Sequence, residues 1–334
     1  MHARWLLVTS LAAVAACEPF TPGPAVTYVP AAQRVQPYDL DAPPPAGSAP
    51  SSPVSAAPAA PDRLVQSTSD FIFDGGRIDF ELHQAGTQVT QVARNRYAVP
   101  VVMSWEISSL HNLDGVTPLH GVVILPPAPR PDAQGPAVEL AQLAIADPHE
   151  SWNRHIQFKA RFGDPQARPQ PFEYALPFHG TFTVIQGFHG AFSHRGSNEF
   201  AVDFDCPVAT TVRAARPGIV VVTYDGAQGS GTTPEYLDYS RVNFVLVLHD
   251  DGTLGEYMHL SPSGVEVQPG QRVERGQALA LSGNTGFSTT PHLHFQVMTA
   301  ADDGIAARSF PFQFEVSQNR DEEPVQGRSY ASWE

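Results

Sequence analysis

Residues 289–297 read TTPHLHFQV. The apolar and aromatic residues in this run have the spacing of a strand, His292–Val297, whose side chains alternate between two faces. His292 and His294 therefore project from one face, while Leu293 and Phe295 point into a core. Two imidazoles placed this way can serve one ion or one substrate. His-x-His also arises by chance on solvated faces, so the pair needs further donors to mean anything.

The donors lie upstream. His259 ends another short strand, in Glu256–Leu260 (EYMHL), and His194 sits in the polar stretch Ser193–Asn198 (SHRGSN). Nine residues after His194 comes Asp203, inside the apolar run Phe200–Phe204 (FAVDF). A carboxylate inside an apolar strand is costly unless it is paired, hydrogen-bonded or bound to metal. Nitrogen and carboxylate donors without thiolates suit zinc, and two imidazoles with one carboxylate leave a fourth position open, as in catalytic sites. His189 is a rival to His194, and Asp205 a weaker rival to Asp203.

Composition limits the alternatives. The 334 residues hold 20 basic and 34 acidic side chains, a formal charge of −14, which argues against a nucleic-acid-binding surface. The two cysteines, Cys17 and Cys206, exclude a disulfide scaffold and every four-cysteine zinc module. Cys206 reads as a small buried residue. Lys159 is the sole lysine, so the glycine-rich turns of Val267–Gly283, which resemble those of a lipoyl or biotinyl carrier, lack the lysine such a carrier needs.

Around these residues the chain is a series of short apolar runs broken by Gly, Pro, Asn and Asp, predicting a mostly β protein. Residues 63–175 read as a small β-sandwich-like domain, with strands at Ile78–Leu82, Tyr97–Ile107, Gly121–Leu125 and Ile156–Phe162. Leu140–Ala146 fits either a strand or a short helix. Residues 176–316 read as a second β-rich domain, with strands near Ile219–Thr223, Val242–Leu248, Val265–Val267 and Ala278–Leu281, followed by a tail at 317–334. Asp225–Arg241 is long for a hairpin connection and is expected to line the cleft.

Five segments of the second domain, in order, carry a resemblance: SHRGSNEFAVDFDCP (193–207), PVATTVRAARPG (207–218), NFVLVLHDDG (243–252) with YMHL (257–260), VQPGQRVERGQALALSGNTG (267–286) and TTPHLHFQV (289–297). Together they resemble the M23 family, the lysostaphin- and LytM-type zinc metallopeptidases that cut peptide crosslinks of bacterial peptidoglycan. The resemblance implies one zinc ion per chain, held by His194, Asp203 and His294, with His259 and His292 as catalytic histidines. It implies hydrolysis of stem peptides or crosslinks by metal-activated water, zinc lowering the pKa of its water toward about 7. Which of His259 and His292 is the general base stays open. The sequence departs from the family at three points: eight residues separate His194 from Asp203 where the short form has three, Thr290 replaces the usual Gly, and Gln296 replaces the usual Glu. His249 is read as structural. The alternative from another class is a catalytically silent LytM-like regulator that binds another cell-wall hydrolase.

The N-terminus reads as an address. Met1–Cys17 has a positive Arg4, a 12-residue apolar run and the end Val14-Ala15-Ala16-Cys17, which resembles the lipobox of bacterial lipoproteins and implies lipidation of Cys17. An ordinary signal peptide cut after Ala16 fits the same small residues. Residues 18–62 hold 12 of the 32 prolines and 10 alanines and read as a disordered linker. Fully extended, it would reach ~140 Å. The expected placement is export to the periplasm, anchored in the outer membrane, with contact to the membrane through the lipid alone.

Overall fold

A computed structural model describes residues 63–70, 77–130, 133–318 and 320–333. Cys17 and the 18–62 linker lie outside them. Among the described residues there is no α-helix, only strands joined by turns and short 3-10 segments, so the expected β-rich class is what the structure shows.

Two sheets form the N-terminal part. One takes the strands Arg63–Asp70, Ile78–Ala85, Gln88–Asn95, Val138–Ile145 and Leu113–Gly115, in that order; the other takes His120–Leu125, Val101–His111 and Asn153–Phe162. Residues 138–145 resolve the strand-or-helix ambiguity as a strand. Val101–His111 starts later than its apolar run. Asn95 turns the chain first, accepting from the Tyr97 amide at 2.8 Å and donating to the Val99 carbonyl at 2.8 Å.

The C-terminal part is built on a nine-stranded sheet. Its order is Arg272–Val273, Gly218–Tyr224, Phe244–Leu248, Leu254–Met258, Leu293–Ala300, Val202–Phe204, Thr181–Gln186 and Ser329–Ala331, with Ala307–Phe310 pairing the second half of Leu293–Ala300. The central strand Leu293–Ala300 is buried at all eight positions, as a strand covered on both faces must be. The stretch expected to be a tail folds back instead: Ser329–Ala331 extends the sheet beyond Thr181–Gln186.

Each face of this sheet has its own core. Val202, Phe204, Val245, Val247, Tyr257, Leu293, Phe295 and Val297 pack with Val212 and Ala280 of a three-stranded sheet made of Thr211–Arg213, Ala278–Ser282 and Leu260–Val265. Phe244, Leu246, Leu254 and Met298, on the opposite face, pack in one cluster with Ile78, Phe80, Val101, Met103 and Phe162. Each such large apolar side chain contributes about 1.5–3 kcal/mol on burial. The approach is close enough that a Cβ on Gly163, whose φ is +118°, would lie 2.4 Å from Thr299 Oγ1. Glycine alone fits there.

The face shared with the N-terminal sheets also carries the candidate site. Cross-strand register puts Leu254 beside Met298, Glu256 beside Gln296 and Met258 beside His294. Along this face, apolar packing gives way to a buried polar pair and then to imidazole.

Candidate active site

Asp203 and His294 are direct cross-strand neighbours, and Gln186 faces Asp203 from the other side. Neighbours in register share a face. His294 Nδ1 lies 2.8 Å from Asp203 Oδ1, and His194 Nε2 lies 3.1 Å from Oδ2. One donor atom from each of His194, Asp203 and His294 falls within 4.8 Å of the others, a group that can hold a metal ion. All three side chains are buried.

The chemistry of the donors fits a cation. His194 Nδ1 donates to the Gly187 carbonyl at 2.9 Å, because a carbonyl can only accept. Its Nε2 therefore bears a lone pair, faces the carboxylate and has no hydrogen-bond partner; His294 Nε2 is also buried without one. His194 Nε2 is thus an orphaned buried acceptor facing a carboxylate, a costly arrangement, and a cation between the two removes the cost.

His259 and His292 complete the cluster, with ring centroids 4.4 Å apart and His259 5.8 Å from His294. Each is oriented by a backbone carbonyl accepting from Nδ1: Thr285 O at 2.6 Å for His259 and Thr290 O at 2.8 Å for His292. Both keep Nε2 free to accept a proton, and that of His292 is 3.8 Å from Asp203 Oδ1. His259 stands at φ 61°, a left-handed conformation that costs a non-glycine residue roughly 1–3 kcal/mol and is held by that carbonyl contact.

Protonation follows from the packing. Burial, then the charges of His292 and His294, hold His259 well below the ordinary imidazole pKa. Burial lowers His292 despite the opposing pull of Asp203. Burial alone would raise Asp203, but its His194 and His294 contacts and the charges of His294 and His292 outweigh that and hold it well below the usual carboxylate range. Burial would lower His294, and the Asp203 contact and the Glu256 charge raise it instead. Near neutral pH the carboxylate is ionised, and His259 and His292 are neutral proton acceptors.

The remaining sequence candidates lie elsewhere. His189, at φ 57°, pairs with Glu199 at 3.2 Å with its side chain largely exposed. Asp205 is exposed. Buried His249 meets Thr253 Oγ1 at 3.1 Å and is pushed down to about 3 by burial and the Arg216 charge. Burial pushes the free Cys206 thiol up to about 12, where it is inert as a nucleophile.

Gln186 was not singled out from the sequence. Its Nε2 donates to Asp203 Oδ2 at 3.0 Å and to Ser193 Oγ at 2.8 Å, while Oε1 accepts from the Phe192 and Ser193 amides. The available signal was of the same kind as for Asp203, a polar residue ending the apolar run TFTVIQ. Replacing Gln186 with leucine removes the donor that orients the carboxylate, and affinity for a metal ion is expected to fall about 10–100-fold in a competition titration with a chelator. Glu256 was not foreseen either: it accepts from Gln296 and from the Tyr239 hydroxyl at 3.0 Å, tying the Asp225–Arg241 loop to the sheet beside the site.

The second β-rich part is similar to known proteins. Residues 197–305 match peptidase family M23. The matched segment contains Asp203, His259, His292 and His294 and begins three residues after His194. Over 119 residues the chain is 42% identical to the glycyl-glycine endopeptidase ALE-1 of Staphylococcus capitis, an alignment covering 35% of this chain and 29% of that protein. Over 96 residues it is 35% identical to the peptidoglycan DD-endopeptidase ShyA of Vibrio cholerae, covering 29% of this chain and 19% of that protein. The chain thus spans less than a third of either relative's length. Among solved structures, the catalytic domain of lysostaphin from Staphylococcus simulans aligns at 28% identity and a TM-score of 0.28, over 39% of this chain and 88% of that one.

Proposed function

We propose that the protein is a zinc-dependent endopeptidase that hydrolyses peptide crosslinks or stem peptides of bacterial peptidoglycan. The observation that carries this reading is the convergence of His194, Asp203 and His294 into one buried donor group, with His259 and His292 beside it, each presenting a free Nε2. The names of ALE-1 and ShyA supply the substrate class. Held by those three residues, zinc supplies Lewis acidity toward water and a peptide carbonyl. The chain's own contribution is then proton traffic: His259 and His292, neutral and fixed at Nδ1, take a proton at Nε2 and return it to the leaving amine. As an imidazolium, either would also stabilise negative charge developing on the carbonyl oxygen. Gln186 holds the carboxylate, and the sheet excludes water from beneath.

Regulators of this type have lost donors or histidines, and the retention of all five here favours an enzyme over the silent-regulator reading. The proposal includes a periplasm-facing outer-membrane lipoprotein, supported by the lipobox-like end at Cys17 and the proline-rich spacer after it. The test is digestion of purified peptidoglycan by the wild type and by His294→Ala, with released muropeptides identified by mass. Products from the wild type alone support the reading; a zinc-loaded wild type that releases none reverses it.

The Asp225–Arg241 loop reaches the site region through the pairing of Ser230–Gly231 with Gly286–Phe287. Shortening it between Gly231 and Tyr239 is expected to change which stem peptides are cut while leaving zinc content intact. Cleavage products unchanged across a panel of stem peptides would count against a role in the cleft wall.

A further inference from the structure

Single exposed apolar side chains are ordinary on protein surfaces. Phe192 is different in its company. It is 60% exposed, two residues before His194, and its ring stacks on that of Phe287 with centroids 5.7 Å apart and planes 23° from parallel. Phe287 lies between Thr285, whose carbonyl fixes His259, and Ser288, whose hydroxyl lies 3.2 Å from His292 Nδ1. The two rings thus come from the loop of the metal-donor side and the loop of the proton-acceptor side, and they meet beside the site.

The two jaws are held differently. Phe287 belongs to a short parallel pair, with the Gly286 amide donating to Gly229 O and the Ser288 amide to Gly231 O, each at 3.1 Å. Gly286 stands at φ +80°, and a Cβ there would lie 2.6 Å from Val242 Cβ, so this position admits glycine alone. Phe192 is held at its backbone, where its amide donates to Gln186 Oε1 at 3.0 Å, and its ring, stacked on Phe287 alone, stays largely exposed. Rotation about χ1 of so exposed a side chain needs no backbone movement.

We propose that Phe192 and Phe287 are specificity-determining residues, a swinging and a fixed aromatic jaw that admit a flat, small-side-chain peptide unit next to the scissile bond and reject bulky ones. Contact distances of about 3.5–4 Å on each side put the rings roughly 7–8 Å apart around an amide plane. A side-chain rotation at Phe192 supplies that opening; a branched side chain demands more and loses the stacking on both faces. Glycine and alanine are the residues that fit. This inference rests on the peptidase reading and deepens it.

The test uses the zinc-loaded protein and two substrate scaffolds, a fluorogenic pentaglycine peptide and a D-alanine-crosslinked muropeptide dimer, each also made with leucine next to the cleaved bond. The wild type is expected to favour the parent over the leucine version at least tenfold in kcat/KM. Phe192→Ala and Phe287→Ala are expected to bring that ratio within about threefold at unchanged zinc content, with Phe192→Leu intermediate. An unchanged ratio, or an equal loss on all four substrates, overturns the jaws. A second measurement does not depend on turnover: Phe192→Trp in a His292→Ala background should shift its emission when a parent peptide binds and less with the leucine peptide. No shift with any peptide overturns the proposal. A shift without cleavage by the wild type keeps the jaws and overturns the peptidase reading.

Discussion

His294→Ala is expected to lose bound zinc and hydrolysis together, whereas His292→Ala keeps near-stoichiometric zinc and loses activity by about 10²–10⁴-fold, the usual contribution of a positioned acid or base. The difference follows from where each ring points. His294 is the cross-strand neighbour of Asp203 and contacts it at 2.8 Å, so its removal opens the donor group at its centre. His292 Nε2 is 3.8 Å from the same carboxylate, and its orientation comes from Thr290 O rather than from the donor group. His259→Ala should behave as His292→Ala, since Thr285 O alone fixes it. Zinc content by elemental mass spectrometry and muropeptide release from purified peptidoglycan read the two effects separately. Zinc retained equally in His294→Ala and His292→Ala would undo this division of roles.

The contrast between these residues marks what a sequence can carry. Asp203 was legible because a carboxylate within FAVDF has few affordable explanations, and His292 and His294 because strand alternation is a local rule. His194 was weaker, since His189 lies five residues away in a similar glycine-rich stretch. Only the fold separates them: His194 is buried against Asp203, while His189 turns outward to Glu199. Gln186, the Thr285 and Thr290 carbonyls and the Phe192–Phe287 stack were not legible. Each is a contact between loops or strands whose meeting depends on strand order, and a backbone carbonyl has no letter of its own. The same holds for the N-terminal sheets. Their strands announced themselves through β-branched runs, but nothing local tells that Met103 and Phe162 pack on the sheet face that carries the site, beside Met298.

The 317–334 stretch misled for a related reason. Its residues are polar and proline-bearing, as a tail would be, yet Ser329–Ala331 needs only one buried residue, Tyr330, to seat an edge strand. Its hydroxyl donates to Glu323 O at 2.9 Å and accepts from the Val325 amide at 3.0 Å, closing the turn that brings the strand home. Short edge strands carry little hydrophobic signal because half of their surface faces water.

Arg216→Met is expected to destabilise the fold by about 3–5 kcal/mol, the usual cost of stranding one member of a buried ion pair. The Arg216 and Asp251 side chains are both nearly inaccessible and meet at 2.7 Å, while the second partner, Asp250, is exposed. Burial works to lower the Arg216 pKa, and its contacts with Tyr174 and Asp251 overcome that and raise it. Burial would raise Asp251; hydrogen bonds from Thr253 and the Gln170 amide, with the Arg216 charge, hold it lowered instead. A carboxylate with a depressed folded pKa contributes stability that is complete above its ordinary value of 3.8 and is lost as pH falls through the folded one. The guanidinium also lies 4.4 Å from the Phe172 ring centroid, so one side chain ties residues 170–174, the link between the two β-rich parts, to the turn before Leu254–Met258. Methionine keeps the apolar bulk and removes the charge, leaving Asp251 buried and uncompensated. Asp250→Asn, which touches only an exposed partner, should shift stability by at most about 1 kcal/mol. Adding Asp251→Asn to Arg216→Met should recover part of the loss, because the stranded charge is then gone. Urea midpoints for the four proteins decide the matter: an Arg216→Met loss no larger than that of Asp250→Asn would show that packing around Phe172, and not the ion pair, holds this junction.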